Sequence, residues 1–171
     1  MAIINYTGIA KQFPYSSKYF TETCFCDVFT LNENSKNIGS ILNVKSQVNI
    51  INTTLVETPI DISNEGQNLL GYKLIIELSL LYKLIYTETP LEQQCNMKNP
   101  VLSADLGNIL KTVFVILPCS IVGIDTCKLI RTNSFKITPY IENVTMQLID
   151  CKNVYSTMDV FVDVNFNNNH Y

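Results

Sequence analysis

The sequence predicts an all-β fold: an antiparallel β-sandwich of about six to eight strands with an N-terminal arm and a short C-terminal tail. Three observations predict it. Apolar residues recur at every second position along most of the chain, clusters of turn-forming residues separate the alternating runs, and no long stretch repeats apolar residues every three to four positions. At this length two packed sheets are expected rather than a closed barrel.

Residues 1–20 show no sustained alternation and read as an arm. The β domain is expected over residues 21–166 and a tail over residues 167–171. The first strand carries "TETCFCDVF" (21–29). In residues 43–50, Val44, Val48 and Ile50 alternate with Lys45, Gln47 and Asn49. The longest run is 72–86. There Tyr72, Leu74, Ile76, Leu78, Leu80, Tyr82, Leu84 and Tyr86 occupy one parity, and Lys73, Ile75, Glu77, Ser79, Leu81, Lys83 and Ile85 the other. That pattern predicts a strand with one face fully buried and the other partly so. Residues 99–111 read as helical or irregular, with Ser103 or Asp105 as a cap. Residues 112–118 form a β-branched strand stopped by Pro118, and alternation returns over 144–150 and 157–166. Turns are expected at 32–40, 63–68, 87–94, 119–126 and 131–134.

The 171 residues make one domain, and a 47% hydrophobic composition supplies a core. The formal net charge is −3 and Arg131 is the one arginine, so no basic patch exists to neutralise phosphates. Nucleic acid and anionic membrane surfaces are not expected partners. The most apolar segment, residues 69–86, contains Lys73, Glu77 and Lys83, which argues against a membrane span. The first residues lack a basic and then apolar leader, so synthesis without a signal peptide is expected.

Catalysis is not expected. The one histidine, His170, stands next to the C-terminus, where a rigid general base or metal ligand cannot be held. Asp159 and Asp163 are placed on a solvent face. Glu77 and Lys83 read as cross-strand charge partners. No metal or cofactor is expected.

Six cysteines, Cys24, Cys26, Cys95, Cys119, Cys127 and Cys151, include no CxxC pair. On a strand, Cys24 and Cys26 project from the same face about 7 Å apart, too far to join each other easily. Two fates stay open for the thiols: burial as small core residues, or disulfides within or between molecules.

Residues 58–164 carry an ordered set of motifs: Thr58-Pro59, Gly66-Gln67, Leu69, Gly71, Lys73-Leu74-Ile75, Glu77, Tyr86, Leu117-Pro118, Tyr140-Ile141-Glu142 and Ile149-Asp150. The set resembles the SPOCS-domain family, small spore coat-associated domains of spore-forming clostridia and bacilli, and the similarity covers about residues 20–165. The chain departs from the family pattern at 93–96, "QQCN", which lacks a histidine. The resemblance implies a non-catalytic structural protein of the endospore envelope (coat, exosporium or surface appendage). It would be made in the mother-cell cytoplasm and meet oxidising surroundings when that cell lyses. Expected partners are further copies of the chain, as an oligomer or polymer, and other spore envelope proteins. On that reading Cys24, Cys26, Cys119 and Cys127 are candidates for intermolecular disulfides. Tyr6, Phe13, Tyr15, Tyr19 and Phe20 on the arm are candidate assembly contacts. The alternative is a monomeric adaptor that recruits another coat protein or a saccharide through aromatics such as Tyr82, Tyr86 and Tyr140.

Overall fold

The structure, a computed structural model, describes residues 4–64, 66–88 and 100–166. The expected tail, with His170, and Cys95 lie outside the described residues. The elements in chain order are β1 (Asn5–Thr7), β2 (Phe20–Thr30), β3 (Ile38–Ile62), β4 (Asn68–Glu88), β5 (Val101–Pro118), β6 (Ser120–Ile121), β7 (Ile124–Asp125), α1 (Thr126–Arg131), β8 (Phe135–Leu148) and β9 (Asn153–Phe166). The fold is all-β, and every strand pairing but one is antiparallel.

Two larger sheets form. One has the order β1-β3-β4-β5, the other β2-β9-β8, and β6 and β7 make a small hairpin. The central strand β4 explains the four-stranded sheet. Leu74, Ile76, Leu78, Leu80, Tyr82, Leu84 and Tyr86 are buried, whereas Glu77 and Lys83 are exposed and Ile75, Leu81 and Ile85 half-buried. The alternation thus turns one parity into the core and leaves the other as a partly apolar outer face. Facing β4 across the core, Phe25, Phe29, Ile141, Val144, Met146, Val154, Met158, Val160, Val162 and Val164 come from the three-stranded sheet, and all join one apolar cluster. The edges meet as well: β5 runs beside β2, and β3 beside β8.

The segment 99–111 corrects the sequence reading. It is not helical; β5 begins at Val101 and pairs with β4 from Thr87 to Gly71. Leu81 pairs with Asn108 and Lys83 with Asp105, so Leu106 and Gly107 together oppose Tyr82. This extra residue is a β-bulge, and Gly107 takes it up with φ +94°. The bulge shifts the inward parity from Leu102, Ala104 and Leu106 to Ile109, Val113, Val115 and Leu117. An interrupted period of two had passed for irregularity.

Further differences concern the connections. β3 starts at Ile38, inside the turn expected over 32–40, and 119–131 holds β6, β7 and the short helix α1. Asp125 caps that helix by accepting from the Lys128 N–H at 2.9 Å. The β8–β9 turn is ordered by Asp150, whose carboxylate accepts from the Lys152 and Asn153 N–H groups and the Asn153 side-chain amide.

Candidate assembly surfaces

Cys24 and Cys26 occupy the outward parity of β2 on either side of Phe25, which with Phe29 is buried on the inward one. Both are exposed, as are Cys119 and Cys151, and Cys127 is half-buried. Burial as core thiols is therefore overturned for these residues. All five described cysteines are free. Cys24 lies opposite Asp159 on β9, and Cys26 opposite Thr157. A hydrogen bond to Asp159 is the main cause that pushes the Cys24 thiol up to about 12; burial, the Asp159 charge and Cys26 add to it. Cys24 is thus held as a protonated thiol at neutral pH, a poor nucleophile.

The same outer face is acidic. Glu142, in the β8 bulge, has its carboxyl raised by burial first and then by the charges of Glu22 and Asp159. Asn143 donates to Asp159 at 3.2 Å. Asp163, expected on the solvent face, is instead buried at 6% exposure. It sits opposite Phe20 and Thr138, where the chain folds across the sheet.

Cys119 and Cys127 are gathered at the end of β5. The Cys119 carbonyl accepts from the Thr126 N–H at 2.9 Å, one residue before Cys127. Burial raises the Tyr72 hydroxyl, and the neighbouring Asp125, Cys127, Glu57 and Cys119 raise it further. Gly71, at φ +114°, lets β4 pass Cys119; a side chain there would run into the Cys119 Sγ.

The arm lies along its own chain. β1 pairs parallel with β3 through Asn5, Tyr6 and Thr7 against Asn43, Val44 and Lys45. The Tyr6 hydroxyl accepts from the Met146 N–H at 3.2 Å, and the Ala10 N–H donates to the Ile141 carbonyl at 2.8 Å. Residues 5–10 therefore stitch β3 to β8 across the seam between the sheets. Phe13 packs against Tyr140 and Phe161, Phe20 stacks on Phe161, and Tyr19 meets Phe166 edge-on. Of the five arm aromatics, Tyr15 is fully exposed, and Phe13 and Phe20 are roughly half so. Tyr82 and Tyr86 are buried in the core, which removes them as saccharide-facing aromatics; Tyr140 is half-buried beneath Phe13.

Strand edges differ in how they are protected. β5 and β2 meet through Lys111 and Asp27, charged residues on the inward parity of two edge strands, a device that blunts an edge. β8 receives the arm. β3 spans 25 residues, and on the side away from β4 only Asn43–Lys45 have a strand partner among the described residues. Glu77 faces Asn52 and Thr112, and Lys83 forms a 3.4 Å ion pair with Asp105 across to β5. A groove of about 550 Å³ opens on the outer face where the β5 bulge lies, lined by Lys45, Gln47, Leu81, Lys83, Asp105 and Asn108 among others.

These features define an all-β domain with surface thiols and, among the described residues, a long unpaired strand edge. Among the described residues no group of three His, Cys, Asp or Glu side chains is placed to hold a metal, and no helix is long and apolar enough to cross a membrane. No protein family, curated protein or solved structure matches the chain.

Proposed function

We propose that this chain is a non-catalytic structural protein of the bacterial endospore envelope that associates with copies of itself and with other envelope proteins. The observation that carries self-association is the β3 edge beyond Lys45, among the described residues a row of unpaired backbone donors and acceptors long enough to accept a strand from a neighbour. The exposed Cys24 and Cys26 support disulfide linkage between molecules once the surroundings become oxidising, with Cys24, held as a protonated thiol, expected to be the slower of the two to react. The envelope location, and synthesis in the mother-cell cytoplasm, rest on the resemblance of about residues 20–165 to the SPOCS-domain family. The arm contributes Tyr15, Phe13 and Phe20 as surface contacts rather than as a donated strand.

A second reading, a monomeric adaptor, is favoured by the breaks in the same edge. Pro59 lies in β3, and register shifts fall between Ile50 and Asn52 and between Glu57 and Ile60. Purified protein, reduced and then oxidised, separates the two readings by sedimentation velocity, negative-stain microscopy and non-reducing gels. Envelope assembly gives species larger than a monomer and a thiol-sensitive ladder that Cys24→Ser/Cys26→Ser removes. A monomer under every condition gives the adaptor reading.

A further inference from the structure

The β6–β7 hairpin folds the chain back onto the end of β5. Ser120 pairs with Asp125 and Ile121 with Ile124. One step further along, the Thr126 N–H donates to the Cys119 carbonyl at 2.9 Å, and the Thr126 hydroxyl donates to the Pro118 carbonyl at 2.6 Å. Thr126 is buried, so this double tie is shielded from water. Cys127 is the next residue, in the first turn of α1. Directly opposed residues of antiparallel strands have Cα atoms about 4.5–5.5 Å apart, and a disulfide spans about 4.4–6.8 Å. Cys119 and Cys127 are one step from such opposition.

Their side chains meet the same part of β4. The Cys119 Sγ lies against Gly71, in the space where a side chain there would begin. Cys127 lines a cavity with Tyr72, the following residue, and with Leu55 and Ile130. Burial is the main cause that raises the Tyr72 hydroxyl, and Asp125 and both thiols add to it. Cys119 is exposed and Cys127 half-buried, so a small reagent reaches this corner. The other described cysteines stand elsewhere: Cys24 and Cys26 on the outward parity of β2, and Cys151 in the β8–β9 turn.

We infer that Cys119 and Cys127 form a redox site that closes into a disulfide within one chain when the protein meets a low-molecular-weight disulfide. One thiol, as its thiolate, attacks a sulfur of the reagent and expels one thiolate; the second protein thiolate then displaces the other half. The protein gives up two electrons and two protons, and the reagent becomes two thiols. The bond clamps the first turn of α1 to the end of β5. It thereby fastens the helix that brings Leu129 into the core and Ile130 to Leu55 and Tyr72. It leaves Cys24 and Cys26 as thiols for links between molecules, and it does not depend on self-association.

Glutathione disulfide, added to the reduced, native full chain, tests the site. Trypsin cuts after Lys111 and Lys128, so Cys119 and Cys127, and no other cysteine, fall in peptide 112–128. The expected result is that this peptide, taken from the monomer band of a non-reducing gel, is lighter by two hydrogens. The equilibrium constant for closure against glutathione is expected to be about tenfold larger in the native chain than in urea, because the fold holds the two residues together. Cleavage after Arg131 is expected to slow several-fold on oxidation, and not in Cys119→Ser/Cys127→Ser. The site is overturned if peptide 112–128 keeps both thiols open to alkylation or is joined to another peptide, or if closure is no more favourable in the native chain than in urea. An internal bond in a chain that stays monomeric upholds the site and overturns self-association; a chain that associates with these two thiols unpaired does the reverse.

Discussion

The Lys111 Nζ on β5 lies 2.6 Å from the Asp27 Oδ1 on β2, bridging the two sheets at one seam of the core. Both side chains are largely shielded, at 24% and 15% exposure, and the ammonium also stands 5.6 Å over the Phe25 ring. The second Asp27 oxygen is buried without a partner, so the carboxylate depends on this one cation. Lys111→Met is expected to destabilise the chain by about 3 kcal/mol, because it strands a shielded charge. Asp27→Leu/Lys111→Met is expected to cost less than Lys111→Met alone. Urea unfolding of the wild type, Asp27→Leu, Lys111→Met and the double variant measures this, and a double variant as damaged as the sum of the two singles would exclude the coupling.

Gly8 decides whether the arm stays docked. Its φ is +101°, and a Cβ there would collide with the Ser46 carbonyl oxygen of β3. Gly8→Ala is expected to cost about 1–3 kcal/mol locally. The three-residue β1 has little to set against that, so the arm detaches while the sheets persist. Trypsin is expected to cleave after Lys11 several times faster in the variant, with an unchanged cooperative unfolding transition. Equal cleavage rates would mean that the arm is held by contacts other than β1.

The period-two pattern made most of the fold legible, since burial from Leu74 to Tyr86 follows parity at every position but Ser79. It was illegible where parity breaks or where partners are remote. The Leu106-Gly107 bulge reverses the inward parity of β5, so a continuous strand looked irregular. The arm was unreadable because its partners, Val44, Ile141 and Met146, lie far along the chain and β1 is too short to show a period. That Cys24 and Cys26 share a face follows from their spacing. Which face does not, because one parity of β2 reads Phe20, Glu22, Cys24, Cys26, Val28 and the other Thr21, Thr23, Phe25, Asp27, Phe29, each a mixture. The acidic neighbour of Cys24, Asp159, comes from β9, more than a hundred residues away, and no local signal announces it.

Asp159 controls the chemistry of Cys24. Its thiol is held near 12 mainly by the Asp159 carboxylate, so little thiolate forms at pH 8.5 and alkylation is slow. Asp159→Asn removes the negative charge and is expected to raise the rate of Cys24 alkylation about tenfold, the thiolate gain of roughly one pKa unit. Iodoacetamide labelling at several pH values, followed at the Cys24 peptide by mass spectrometry, measures the rate. An unchanged rate would place the control of this thiol in burial rather than in Asp159.

Acid acts at the opposite end of β9. The Asp150 carboxylate accepts from the Asn153 side-chain amide at 2.7 Å and from the Lys152 and Asn153 N–H groups at 2.8 and 2.9 Å. These bonds hold its carboxyl below the ordinary aspartate value, the Asn153 side chain contributing most. The turn they fix also carries the Lys152 ammonium, which donates to the carbonyls of Glu33 and Ser35 in the β2–β3 loop. A carboxylate whose folded pKa is depressed stabilises the fold above its unfolded value, near 3.9, and loses that contribution as pH falls through the folded one. The amide resonances of Lys152 and Asn153 are therefore expected to hold steady down to about pH 4 and to move together below it, with the β2–β3 loop following. Asp150→Ala is expected to show the loosened turn already at neutral pH and no further titration there. A midpoint at the ordinary aspartate value in the native chain would show that the three hydrogen bonds do not favour the ionised form.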